Sequence, residues 1–132
     1  MEQDSGREAT RAARPAQAID ITGHGLRVRV YFGEHDKHQG HALWSAFLDF
    51  LRAEGAAGAT VLRGVGGFGA HSHIHTARLV ELSSDLPLVL EWVDTEERVQ
   101  RLLPTLLAML DGGLVTTDPV DIVRYTPHEF KE

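Results

Sequence analysis

Residues 86–93 read Leu86-Pro87-Leu88-Val89-Leu90-Glu91-Trp92-Val93, with one charge in the run. Successive side chains of a strand point to opposite faces of a sheet. A strand that is apolar at nearly every position is therefore buried on both sides, which makes this segment a central strand. Asp85 before it suits a turn, and Pro87 suits the start of a strand. Glu91 inside the run needs a partner: Arg78, Arg63, or a polar channel between subunits.

Working outward, Asp94 or Thr95 caps a helix. Asp94 with Glu97 fits the capping-box pattern better than Thr95 with Arg98. Val99, Leu102, Leu103, Leu106, Leu107 and Leu110 give that helix a wide apolar face. Pro104 inside it predicts a kink or a break. After Gly112-Gly113 come a short apolar pair and a last strand, Val120 to Tyr125.

Upstream, "LRVRVYF" (26–32) alternates. Leu26, Val28, Val30 and Phe32 share one face, while Arg27, Arg29 and Tyr31 share the other. A helix is expected from about His41 to Glu54, with Leu43, Phe47, Phe50 and Leu51 at helical spacing, Trp44 and Leu48 widening the stripe, and Gly55 ending it. Residues 57–65 read as a second strand, and 74–82 as an alternating ribbon. The order β-α-β-β-β-α-β reduces, with the ribbon as an excursion, to β-α-β-β-α-β. That is an α+β, ferredoxin-like (split β-α-β) arrangement with two helices on one face of an antiparallel sheet. The other face is left bare, and its apolar content calls for a second copy of the chain.

The chain has 132 residues, enough for one domain. Its formal net charge of −6, with only 13 Lys and Arg, disfavours nucleic acid as a partner. The absence of cysteine removes disulfides, iron–sulfur clusters and thiolate zinc sites. No apolar run approaches the ~20 residues of a membrane span, and the N-terminus lacks a signal-peptide core. The expected protein is cytoplasmic and not membrane-inserted. Residues 1–25 read as a disordered extension, 26–126 as the domain and 127–132 as a tail.

The most site-like segment is "GVGGFGAHSHIH" (64–75). It is neither a Walker A loop, lacking the closing Lys-Ser/Thr, nor a dinucleotide fingerprint. Gly64, Gly66, Gly67 and Gly69 still allow close backbone approach to a ligand, and their N–H groups could form an anion nest. Arg63 beside them either clamps a phosphate or pairs with a neighbouring carboxylate. Phe68 either stacks on a ligand or partner, or packs into a subunit interface. His71, His73 and His75 would share one face of a strand about 6–7 Å apart. They are either a metal site, with zinc needing a further ligand, or a solvated ribbon that gains charge below pH 7. His35, His38 and His41 form a second, weaker cluster. No nucleophile, base and orienting group converge, so no enzyme is expected.

The blocks "GEHDK", "GATVLRGVGGFG", "HTARLVELSSDLPLVLEWVD" and "GLVTTDPVDIVRY" resemble the prokaryotic domain-of-unknown-function 190 family, related to the PII signalling proteins. The resemblance spans roughly residues 26–125. It implies a ferredoxin-like subunit in a homotrimer whose sheets face inward, with a mobile loop at about Gly66 to Leu86. It further implies a small anionic metabolite such as ATP, ADP, AMP or a cyclic nucleotide in clefts between subunits, and a membrane transporter or enzyme as the regulated partner. In that pattern Glu34, Asp36 and Lys37 fix a turn and Gly40 opens the helix. Lys37 is a phosphate or carboxylate contact or else a surface ion pair. Arg124, with Tyr125, resembles the closing segment that contributes to the cleft.

Overall fold

The computed structural model describes residues 20–69 and 85–128. Its elements are β1 (Ile21–Gly33), a hairpin of β2 (Lys37–His38) and β3 (His41–Ala42), α1 (Leu43–Ala53), β4 (Thr60–Arg63), β5 (Pro87–Thr95), α2 (Glu96–Met109) and β6 (Leu114–Tyr125). The main sheet has the order β4-β5-β1-β6, and all its pairings are antiparallel. Without the hairpin this is the ferredoxin-like arrangement, with both helices on one face. The run 86–93 falls on β5, which lies between β4 and β1 as a central strand must. The 74–82 ribbon and His71, His73 and His75 lie outside the described residues, as do residues 1–19 of the proposed extension.

Alternation sets the core. Val28, Val30 and Phe32 of β1 and Leu88, Leu90 and Trp92 of β5 point to the helix side. Leu43, Phe47 and Leu51 of α1, with Val99, Leu102 and Leu106 of α2, meet them at helical spacing. Phe32 and Phe47 contact edge to face, with ring centroids 5.2 Å apart. Each such side chain contributes about 1.5–3 kcal/mol by leaving water. Trp44 and Leu107 are partly exposed, so the buried stripes are narrower than the sequence suggests.

Several boundaries differ from expectation for identifiable reasons. β1 starts at Ile21 rather than Leu26 because its pairing with β6 continues past a bulge at Gly23, and Ile21 is buried opposite Tyr125. β6 starts at Leu114, joining the apolar pair and the last strand into one element that carries Pro119. A proline is tolerated there because β6 is an edge strand. Thr95, not Asp94, is the N-cap of α2: its Oγ1 accepts from the Arg98 backbone N–H at 3.2 Å. Pro104 does not interrupt α2, since it sits on the exposed side where water can reach the unpaired carbonyl one turn back. Gly40 closes the β2–β3 hairpin instead of opening the helix, with Gln39 and Gly40 both at positive φ and His38 opposite His41. α1 ends as expected. Gly55, at φ +84°, lets its N–H reach Arg52 C=O and the Ala56 N–H reach Leu51 C=O, the paired bonds of a Schellman motif.

One polar group is buried among these apolar ones. Asp94 is fully inaccessible, yet both carboxylate oxygens are satisfied. Oδ1 accepts from the Thr95 N–H at 2.9 Å and from Arg98 Nη1 at 3.0 Å. Oδ2 accepts from the Ala57 N–H at 2.8 Å and from Trp92 Nε1 at 3.0 Å. The Ala57 carbonyl in turn accepts from the Tyr125 hydroxyl at 2.7 Å.

Both described helices lie on one side of the sheet, and neither covers its opposite face. Cross-strand register arranges it in rows. Leu62, Val89, Tyr31 and Leu114 form an apolar row across all four strands. Thr60, Glu91, Arg29 and Thr116 form the next, followed by Val93, Arg27 and Asp118. Arg29 Nε donates to Glu91 Oε2 at 3.3 Å, so Glu91 finds its partner on β1 rather than in Arg63. Arg27 grips Asp118 with two donors, at 2.7 and 3.3 Å. That hydrogen bonding holds the Asp118 carboxyl below its ordinary range and raises the Arg27 guanidinium above its own.

Two outcomes follow. Asp94→Ala lowers the free energy of unfolding by ~3–5 kcal/mol, because Arg98 and three further donors lose their acceptor. Urea denaturation measures this, and a loss under about 1 kcal/mol would remove Asp94 from its central role. The Asp118–Arg27 pair stabilises the folded chain above the ordinary carboxylate pKa of about 4, and its contribution disappears as pH falls through the lowered folded value. In an NMR pH titration Arg27→Gln should return Asp118 to the ordinary range.

Candidate functional site

The end of β4, the start of β5 and the end of β1 converge where the apolar row meets the glycine segment. Hydrogen bonds fix the framework there. The Gly64 N–H donates to Pro87 C=O at 2.7 Å, extending the β4–β5 pairing by one step. Glu34, just after β1, binds Leu86 twice: its N–H donates to Leu86 C=O at 3.0 Å, and its Oε1 accepts from the Leu86 N–H at 3.4 Å. Glu34 Oε2 accepts from Arg63 Nη2 at 2.5 Å. One carboxylate thus holds the last residue of β4 and the residue that precedes β5. Asp85 Oδ1 accepts from the His35 N–H at 3.3 Å, and Asp36 Oδ2 accepts from the Gly33 N–H at 3.1 Å.

These contacts border a pocket of about 420 Å³. One wall is Gly64, Gly66, Gly67, Phe68 and Gly69. The other comes from the sheet, through Tyr31, Val89 and Leu114, with Leu86 and Pro87 between them. Gly67 has φ +152°, a backbone state that side chains rarely adopt, and an added Cβ would press on Pro87 Cγ at 3.3 Å. Phe68 is 81% exposed, and Val65 in the same segment is fully exposed. The wall is mainly apolar and aromatic with few polar groups, the usual make-up of a small-molecule site.

Five sequence-derived candidates, Gly64, Gly66, Gly67, Phe68 and Gly69, therefore come together around one pocket. Arg63 is next to it but faces Glu34, in the carboxylate pairing that its sequence context allowed. Lys37 is exposed on the β2–β3 hairpin and does not line the pocket. Arg124 lies at the far end of β6 from Leu114, roughly 33 Å along the strand at ~3.3 Å per residue, with its Nε donating to Thr126 Oγ1 at 3.1 Å. Among the described residues, no three His, Asp or Glu side chains gather as a metal site, and this includes His35, His38 and His41. The sequence reading did not identify Tyr31, Val89 and Leu114 as pocket residues, nor Glu34 as the partner of Arg63. The signal for the first three is their common outward face, which becomes a pocket wall only once strand order is known.

The chain was compared with known proteins. A family model described as DUF190, Uncharacterized ACR, matches residues 25–122. A UPF0166 protein of Methanocaldococcus jannaschii is 33% identical over 93 residues, covering 69% of this chain and 85% of that protein. A UPF0166 protein of Aquifex aeolicus is 30% identical over 96 residues, covering 73% of this chain and 90% of that one. The matched span runs from the middle of β1 into β6 and so contains every described wall of the pocket. By the extent of that match and the identity of these relatives, the chain belongs to the DUF190 family.

Proposed function

We propose that this chain is a PII-like regulatory protein of the cytoplasm. It assembles as a homotrimer through the uncovered sheet face, binds a small anionic metabolite of the adenine-nucleotide class, and alters what the glycine segment presents to a transporter or enzyme. The observation that carries this reading is the pocket itself. A flat ring fits between Phe68 and the Tyr31–Val89–Leu114 wall, beside backbone that glycine leaves accessible. No basic side chain lines the cavity among the described residues, so a ligand's phosphates belong at its mouth, where Arg63, next to Gly64, is the candidate. Glu34 competes with any such anion for Arg63, and an anion that wins also loosens the hold of Glu34 on Leu86. In that exchange the site gains a link between occupancy and the two ends of the segment joining β4 to β5.

The assembly follows from the same face. The part of that face outside the pocket, where Leu62 is exposed, needs cover, and a second and third copy of the chain supply it. Arg124, distant from the pocket within one subunit, would reach a cleft only from a neighbour. No helix among the described residues is long and apolar enough to cross a membrane.

Isothermal titration with ATP, ADP, AMP and cyclic AMP tests the binding. Arg63→Ala should weaken the bound nucleotide about tenfold or more while leaving the urea midpoint nearly unchanged, since an exposed ion pair contributes little stability. Unchanged affinity would remove Arg63 from the site, and no binding of any nucleotide would overturn the reading. Light scattering after size exclusion should give about three times the 14.5 kDa chain mass, and Leu62→Asp, on the same face but outside the pocket, should give the single-chain mass.

A further inference from the structure

The polar groups along the sheet side of the pocket are mostly committed. The N–H and C=O of Leu86 both bind Glu34, the Pro87 carbonyl accepts from the Gly64 N–H, and Pro87 has no N–H to offer. The Gly33 N–H is bound to Asp36. Tyr31 also lines the pocket, but a hydroxyl both donates and accepts, so it does not discriminate between ligands. On the opposite wall, the backbone of Gly66 and Gly67 carries N–H and C=O alike and so is equally permissive. Asp85 is different. Among the described lining residues it is the one charged side chain, and an ionised carboxylate only accepts.

Its position is also held. Asp85 Oδ1 accepts from the His35 backbone N–H at 3.3 Å and lies 3.7 Å from His35 Nδ1. Among the described residues nothing donates to Oδ2. A fixed acceptor beside an apolar cavity favours a ligand that brings a donor and penalises one that brings none, because the carboxylate then gives up water without replacement.

We propose that Asp85 is a specificity-determining residue of this pocket, selecting a flat ring that presents an exocyclic N–H donor. The inference rests on the ring-binding reading above and names the feature of the ring that is read. The ring enters with its amino edge toward Asp85.

The test needs no variant at first. AMP and purine riboside 5′-monophosphate differ only in the exocyclic amino group and share the phosphate. Titrated into the full chain, AMP should bind about tenfold or more tightly, the size expected for a hydrogen bond to a charged group. Asp85→Ala should bring the two affinities together, while circular dichroism confirms that the variant is folded. Equal affinities in the unaltered chain would overturn the role of Asp85 and leave ring binding intact. Persistence of the AMP preference in folded Asp85→Ala would also overturn it. Failure of both ligands to bind would instead remove the nucleotide reading, and this inference with it.

Discussion

Asp94 joins segments that hydrophobic burial alone would leave loosely related. Its two oxygens gather donors from the strand that carries it, the helix that follows it and the turn after α1. Burying a carboxylate is costly, and the cost is offset only when its lone pairs are filled and a cation is near. Arg98 supplies the cation, one helical turn away. The arrangement therefore depends on α2 starting where Thr95 caps it, on Trp92 facing the helices and on α1 ending at Gly55. Through Ala57 and Tyr125 it extends to the far end of β6. Register of the sheet, phase of the second helix and closure of the first are all specified by one side chain.

The sequence conveyed the layers well because its periodicities are clean. Alternation in 26–32 and helical spacing in 43–51 report burial directly, and the observed faces follow them. The nearly all-apolar run 86–93 correctly demanded a central position. Less legible were features set by partners distant in the chain. Nothing local shows that 114–125 is one strand, since Thr116, Thr117, Asp118 and Pro119 look like a turn until β1 is placed beside them. Nothing local shows that Asp94 is buried, because its donors come from Ala57, Trp92, Thr95 and Arg98 together.

The site divided in the same way. The glycine segment was conspicuous because its composition constrains its own backbone, and Gly64 to Gly69 do gather at one pocket. The opposite wall was invisible because it consists of ordinary strand residues brought together by cross-strand register. Basic residues were the least dependable guide. A guanidinium near glycines suggests phosphate, but Arg63 has a carboxylate closer at hand in Glu34, and that contact spans 29 positions in the chain. Lys37 and Arg124 carry charge without a location that explains it in a single subunit.

Pro119 has a consequence for how the molecule behaves in crowded solution. β6 is a 12-residue strand on the sheet's margin, the kind of margin along which unrelated chains stack into fibrils. A proline midway removes one donor from that ladder and stiffens the backbone around it. An incoming strand could therefore match only half of the length at a time. The margin can stay long enough to carry Tyr125 to Ala57 without becoming a seed for aggregation.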